Sequence, residues 1–219
     1  MSTLARLWDA PPQAVRGRLP PALWSLPLAV LLWATIFYWR PANFWLLLGG
    51  SVAVLSALTF AVRGPFLFRE PLRPSDVLIG VGSAVALWVV FWLGNQLMTL
   101  LLPFAPHQVS SVYELRADAP FVVIALLLVL VIGPGEETYW RGLVQWGCAG
   151  RFGPRAGWLL GTAAYAGAHV VSLNLMVVIA ALVAGAVWGW LYMRIGRLWP
   201  GLISHVLWDL AIFLLFPIG

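Results

Sequence analysis

Seven long apolar runs, separated by short breaks bearing arginine, proline or glycine, organise the chain. They cover residues 22–39, 43–62, 77–102, 120–150, 155–172, 174–193 and 198–216. Each is close to or above the roughly 20 residues that a helix needs to cross a bilayer. The runs are continuously apolar and lack the alternation over about ten residues that marks the strands of a membrane barrel. Lipid admits only helices or closed barrels, so all seven are predicted helical. The expected fold is all-α: a polytopic transmembrane bundle of about seven spans.

The breaks divide this bundle. Residues 1–21 are polar and proline-containing, without the order of a cleaved signal peptide, so the first run is expected to stay as an anchor. Arg63–Asp76, with Pro65, Pro71 and Pro74, separates an N-terminal pair of spans and its loop (22–76) from a five-span core (77–219). The break 103–120 contains His107, Glu114 and Asp118 and reads as a solvated loop.

Composition removes water as the main solvent. The chain is 62% hydrophobic and 10% charged, with a mean hydropathy of +0.90, whereas soluble domains carry about 25% charged residues. Membrane lipid is therefore the expected surrounding partner. The 13 basic residues are all arginine, a hint of a GC-rich bacterial genome and so of a bacterial cytoplasmic membrane. A pI near 10.1 does not imply nucleic acid here, because the arginines lie in short loops and build no basic face. With simple alternation, Arg6, Arg16, Arg18, Arg63, Arg69, Arg73, Arg151, Arg155, Arg194 and Arg197 fall on one side, against Arg40 and Arg116 on the other. The positive-inside rule then makes the N-terminus cytoplasmic and places Gly219 outside. Cys148 is the single cysteine and has no disulfide or metal-binding partner of its own kind.

Ionisable groups inside spans change the picture most, since each costs about 2.5–3.5 kcal/mol on insertion scales. The chain has only eight acidic residues, yet Glu136, Glu137 and Asp209 lie within predicted spans, with Arg141, His169 and His205. In Gly133-Pro134-Gly135-Glu136-Glu137-Thr138-Tyr139-Trp140-Arg141, the i, i+4 spacing allows Glu137 to pair with Arg141. Glu136 lies about 100° away around the axis and need not share that partner. One carboxylate can thus be neutralised while its neighbour is free for proton transfer. Gly133, Pro134 and Gly135 are expected to loosen or kink the helix. His169 ends the sequence Tyr165-Ala-Gly-Ala-His169, and His205 and Asp209 share a face at i, i+4. Each cluster taken alone also fits a helix-end ion pair or a buried polar contact between helices. Glu136 and His169 are level, each roughly 24 Å from the turn near Gly153; His205 and Asp209, roughly 14 and 20 Å from the turn near Gly196, join that layer if the first hairpin projects some way into the cytoplasm. That points to one site in the inner half of the membrane.

In order, Glu-Glu-x-x-x-Arg, aromatic-x-x-x-His and His-x-x-x-Asp resemble the motifs of the CPBP family of CAAX-processing and bacteriocin-processing intramembrane proteases, also called Abi proteins. The resemblance covers roughly residues 120–216, and Gly142 and Leu198-Trp199-Pro200 fit it too. It implies a glutamate-dependent, metal-free endopeptidase without cofactor, acting on a peptide or protein with a hydrophobic or membrane-associated segment. Glu136 would be general base on a water that His169 helps to bind. His205 and Asp209 would stabilise the oxyanion, and Glu137, Arg141 and Tyr165 would support the site. Two residues depart from the pattern: Tyr165 replaces the usual Phe, and Asp209 stands where many members have Asn. An ionised Asp209 would repel an oxyanion, so this role requires it protonated or paired with a protonated His205.

Other readings use the same residues. Glu136, His169, His205 and Asp209 are zinc ligands by type, although no His-Glu-x-x-His fixes their geometry. A non-enzymatic protein, such as an immunity factor or assembly partner, could share the fold. Buried Glu and His also suit a small transporter or proton relay, but no internal repeat supports one.

Overall fold

The computed structural model describes residues 21–65 and 71–218, and all its regular elements are helical. The N-terminal segment with Arg6, Arg16 and Arg18, as well as Arg69 and Gly219, lies outside the described residues. Helix α1 (Pro21–Trp39) ends at Arg40, whose left-handed φ of 42° turns the chain. Asn43 then caps α2 (Phe44–Arg63) by accepting from the Trp45 and Leu46 N–H groups at 3.0 and 3.2 Å. Helix α3 (Pro74–Leu101) starts with proline in its first turn, and the Arg73 N–H donates to Asp76 at 3.0 Å. A short helix α4 (Ala105–Glu114) follows. Helix α5 (Phe121–Phe152) and α6 (Pro154–His169) form a hairpin at Gly153, where φ is 89°. Helices α7 (Leu175–Ile195) and α8 (Trp199–Leu215) form a second hairpin at Gly196, where φ is 74°. Both turns use the left-handed region that glycine adopts without a Cβ penalty.

Helices α1, α2, α3, α5 and α7 are long and apolar enough to cross a membrane. Helix α6 has 16 residues, or about 24 Å, short of a hydrocarbon core of roughly 30 Å. Helix α8 is also below full length. The seven apolar runs are thus all helices, five of full span and two shorter, and the short ones carry His169, His205 and Asp209.

The stretch 103–120 is not an open loop. It forms α4 and a 3₁₀ turn, Leu115–Asp118. Pro106 fits a first helical turn, and Val109, Val112 and Tyr113 turn inward to line a cavity. Asp118 pairs with Arg40, and the Asn43 side chain donates to its carbonyl at 2.6 Å. Asp118 therefore ties the 3₁₀ turn after α4 to the α1–α2 turn, while His107 and Glu114 are exposed.

The bundle is inside-out relative to a soluble protein. Leu78, Val85 and Leu100 on α3 are 75%, 61% and 82% exposed, whereas Glu137 and Arg141 are 0% and 2% exposed. Apolar exposure of this kind is stable only against lipid. Large aromatics fill the interior: Trp33, Trp45, Trp140 and Trp188 are all fully buried. Small residues let backbones approach where the site is built. A Cβ at Gly157 would meet the Ala149 backbone within 2.6 Å, holding α6 against α5. At Gly185, on α7, it would meet Tyr165 at 2.8 Å. At the Arg-rich end, buried Arg197 donates to Asp76 at 2.8 and 3.2 Å and joins the α7–α8 turn to the start of α3.

Candidate active site

The two glutamates sit on a short α-helical stretch, Gly133–Tyr139, between two π-helical stretches, Leu128–Ile132 and Trp140–Gln145. The expected loosening at Gly133-Pro134-Gly135 is present, but as widened turns that keep α5 continuous. The Gly133 N–H reaches back five residues to the Leu128 carbonyl, so Pro134, which has no N–H to give, follows a widened turn and stands in the first turn of the next stretch. A third π stretch, Leu210–Leu215, directly follows Asp209. Such widened turns often mark functional positions because they re-aim side chains.

Glu137 is the ionic anchor. Its Oε1 accepts from the Arg141 guanidinium at 2.9 Å and from His205 Nδ1 at 2.9 Å. Its Oε2 faces Gly201, where a Cβ would come to 3.1 Å. Arg141 also donates to the Gly185 carbonyl at 3.3 Å and lies over the Tyr165 and Trp188 rings at 4.8 and 5.4 Å. Both members of this pair are buried, so the guanidinium is held by one carboxylate, one carbonyl and two aromatic faces. The i, i+4 pairing expected from sequence is present. The bond from Glu137 to His205 is additional, and it makes Glu137 a partner of α8 as well as of its own helix.

His205 is stacked on Trp188, with centroids 3.8 Å apart and planes 16° from parallel. With Nδ1 turned to Glu137, Nε2 faces Asp209 Oδ2 at 3.6 Å, beyond hydrogen-bond distance. Trp188 is itself fixed by donating to Ser204 at 3.0 Å. The shared face of His205 and Asp209 is therefore real, but the ring is oriented mainly by Glu137 and Trp188.

Among the described residues, Glu136 has no ionic partner of this kind. Its Oε2 accepts from the Tyr165 hydroxyl at 2.9 Å. His169 lies one turn after Tyr165, and its Nδ1 meets the Tyr165 carbonyl at 2.8 Å. The carbonyl is an acceptor only, so Nδ1 carries the proton. Nε2, left with its lone pair, accepts from the Trp33 indole N–H at 3.2 Å. Tyr165 thus holds Glu136 by its side chain and His169 by its backbone, which puts both at one height.

Glu136, Tyr165, His169, His205 and Asp209 all face a single cavity of about 330 Å³. Beyond them its wall is almost entirely apolar and aromatic, including Phe37, Trp45, Phe91, Met98 and Phe213. The cavity extends away from the Arg-rich end toward α4. Among the described residues, no three His, Cys, Asp or Glu side chains are grouped as metal ligands would be.

Trp33, Trp188, Gly185 and Gly201 were not singled out by sequence. Gly185 and Gly189 stand one turn apart on α7, a small-residue spacing that signals close packing. Trp33 gives no such signal, being one of 14 tryptophans in an apolar run.

Residues 118–211 match the family model for type II CAAX prenyl endopeptidase Rce1-like proteins. The match agrees with the CAAX-protease motifs around Glu136, His169 and His205. It includes Glu137, Arg141, Tyr165, Trp188, Gly201 and Asp209 and leaves out Trp33. No curated protein and no solved structure matches the chain.

Proposed function

We propose that this integral membrane protein, with its Rce1-like stretch at residues 118–211, is an intramembrane endopeptidase that hydrolyses a membrane-associated peptide with water activated by Glu136. One observation carries the reading. At the polar end of an apolar cavity, Glu136 stands with His169, His205 and Asp209, while its neighbour Glu137 is tied by one oxygen to Arg141 and His205.

Glu136 takes a proton from water held between it and His169 Nε2. The hydroxide adds to the scissile carbonyl carbon, and the electron pair moves to oxygen. A protonated His205 directs Nε2–H to that oxyanion, with Nδ1–H held on Glu137; protonated Asp209 is the second donor. Collapse of the intermediate breaks the C–N bond, and Glu136 returns the proton to the leaving amine. Preorganised donors of this sort often supply most of the rate enhancement in acyl transfer, and the positioned base contributes about 10²–10⁴-fold.

The same proposal includes seven spans, a cytoplasmic N-terminus, a core beginning at residue 77 and no metal requirement. The Arg-rich loop ends and the five full-length helices support the topology. Comparative proteomics of membrane fractions from cells with wild-type or Glu136→Gln protein tests the function. The expected result is accumulation of an uncleaved membrane substrate in the variant. Identical processing would remove Glu136 as the base. Loss of cleavage in a strong chelator, restored by a divalent metal, would replace the metal-free mechanism.

A further inference from the structure

Counting donors and acceptors at His169 exposes a conflict. The imidazole has two nitrogens, and both are engaged. Nδ1–H is bound to the Tyr165 carbonyl at 2.8 Å, and the Nε2 lone pair holds the Trp33 indole N–H at 3.2 Å. A neutral imidazole has a single in-plane lone pair, and an indole N–H is only a donor. While Trp33 stays, His169 has no atom with which to bind a water.

Trp33 is well placed to make this contact decisive. It is fully buried, packs edge-on to Trp140 at 5.6 Å and to His169 at 5.8 Å, and lines the cavity with Phe37 and Phe44. Its helix is pinned two turns earlier, where Ser25 and the Tyr139 hydroxyl are 2.9 Å apart. The backbone of α1 is therefore anchored beside the site, while the indole projects into the space that an apolar segment must fill.

We propose that Trp33 is a specificity-determining cap: its indole N–H occupies His169 Nε2 until an apolar segment entering the cavity displaces it and opens the lone pair to water. This rests on the peptidase reading for its purpose, though the contact itself does not. Breaking one neutral hydrogen bond costs about 0.5–1.5 kcal/mol, so the cap is worth roughly a 2- to 10-fold rate difference. The device would favour substrates with an apolar segment over short polar peptides. It would also make α1 part of the working unit, although it precedes both the matched stretch and the predicted core boundary.

The test uses the full chain in lipid nanodiscs and one peptide made with and without an oligo-leucine tail. The Trp33 indole ¹⁵N–H resonance is assigned by its disappearance in Trp33→Phe. It should shift upfield in His169→Ala, where the acceptor is gone. In otherwise wild-type protein carrying Glu136→Gln, the tailed peptide should shift it the same way and the tail-less peptide should not. No upfield shift with the tailed peptide overturns the cap. In cleavage assays, Trp33→Phe should raise kcat for the tail-less peptide about 2- to 10-fold and change kcat for the tailed one, whose bound complex has already displaced the indole, by less than twofold. An equal fall for both peptides makes Trp33 a positioning residue and also overturns the cap. If the resonance behaves as expected but neither peptide is cleaved in a Glu136-dependent way, the cap stands and the peptidase reading fails.

Discussion

The two halves of the site are built from different chemistry, though they begin at adjacent residues. Glu137 is surrounded by charge: Arg141 and His205 share one of its oxygens, and Trp188 backs the imidazole. Glu136 meets neutral donors only in the contacts described: the Tyr165 hydroxyl on its own oxygen, and beyond it His169 under the Trp33 indole. The first half ties Glu137 down and through it orients His205, whose ring also lines the cavity. The second borders the cavity and contains the atoms that would handle a proton. The difference shows how one helix can hold two carboxylates at membrane depth. One is tied down, and the other is presented.

The largest expected effect separates the halves directly. Glu136→Gln should lower kcat by about 10²–10⁴-fold with little change in the unfolding midpoint, because Gln retains an acceptor for Tyr165. Glu137→Gln should destabilise the protein by about 3–5 kcal/mol, since it leaves Arg141 as a buried charge without its carboxylate. Thermal unfolding in detergent and turnover of a membrane-anchored peptide would measure both. If Glu136→Gln unfolds the protein while Glu137→Gln remains stable and inactive, the assignment of the two roles is reversed.

The next effect sharpens the scaffold half. Adding Arg141→Met to Glu137→Gln removes the stranded charge and should recover much of the lost stability, because buried ion pairs can be replaced by apolar groups at little cost. Activity should not return, as His205 Nδ1 still lacks its carboxylate. Recovery of activity in the double variant would mean that Glu137 supports only its own helix.

A smaller perturbation probes packing without removing charge. Gly185→Ala would bring a methyl to 2.8 Å from the Tyr165 ring. The ring must shift, at a cost of about 1–3 kcal/mol. Since Tyr165 positions both Glu136 and His169, activity should fall about 10-fold while the Glu137–Arg141–His205 cluster is retained. An unchanged rate would show that the Glu136 half tolerates displacement of its clamp.

What could be read from the sequence follows from how local each interaction is. Glu137 with Arg141 and His205 with Asp209 are i, i+4 relations, fixed by helix geometry alone, and both were visible as spacings. Levelness of Glu136 and His169 across the first hairpin was also legible, because a constant rise per residue converts chain distance into height. Nonlocal contacts were not. Glu137 reaches His205 across 68 residues, and Trp33 reaches His169 across 136. Gly133-Pro134-Gly135 announced a loosened helix but not its form as π turns, and the π stretch after Asp209 had no such signal. Helix α4 was hidden by its polar residues, of which Gln108 and Ser111 find their partners at Asn174 and Met176, more than 60 residues away.

The smallest expected effect comes at the link between the halves. Tyr165→Phe keeps the ring that lies under Arg141 and against Gly185, and removes only the hydroxyl that donates to Glu136. The Tyr165 carbonyl is unaffected, so His169 keeps its Nδ1 partner. Phe is also the residue that the CAAX-protease motif usually has here. Glu136 lies on the cavity wall, where water can replace a lost donor. The rate should therefore change less than about 10-fold, and stability by about 1 kcal/mol or less. A loss comparable to that of Glu136→Gln would instead mean that the hydroxyl takes part in proton transfer. The neutral half of the site would then contain two proton-handling groups rather than one base and its clamp.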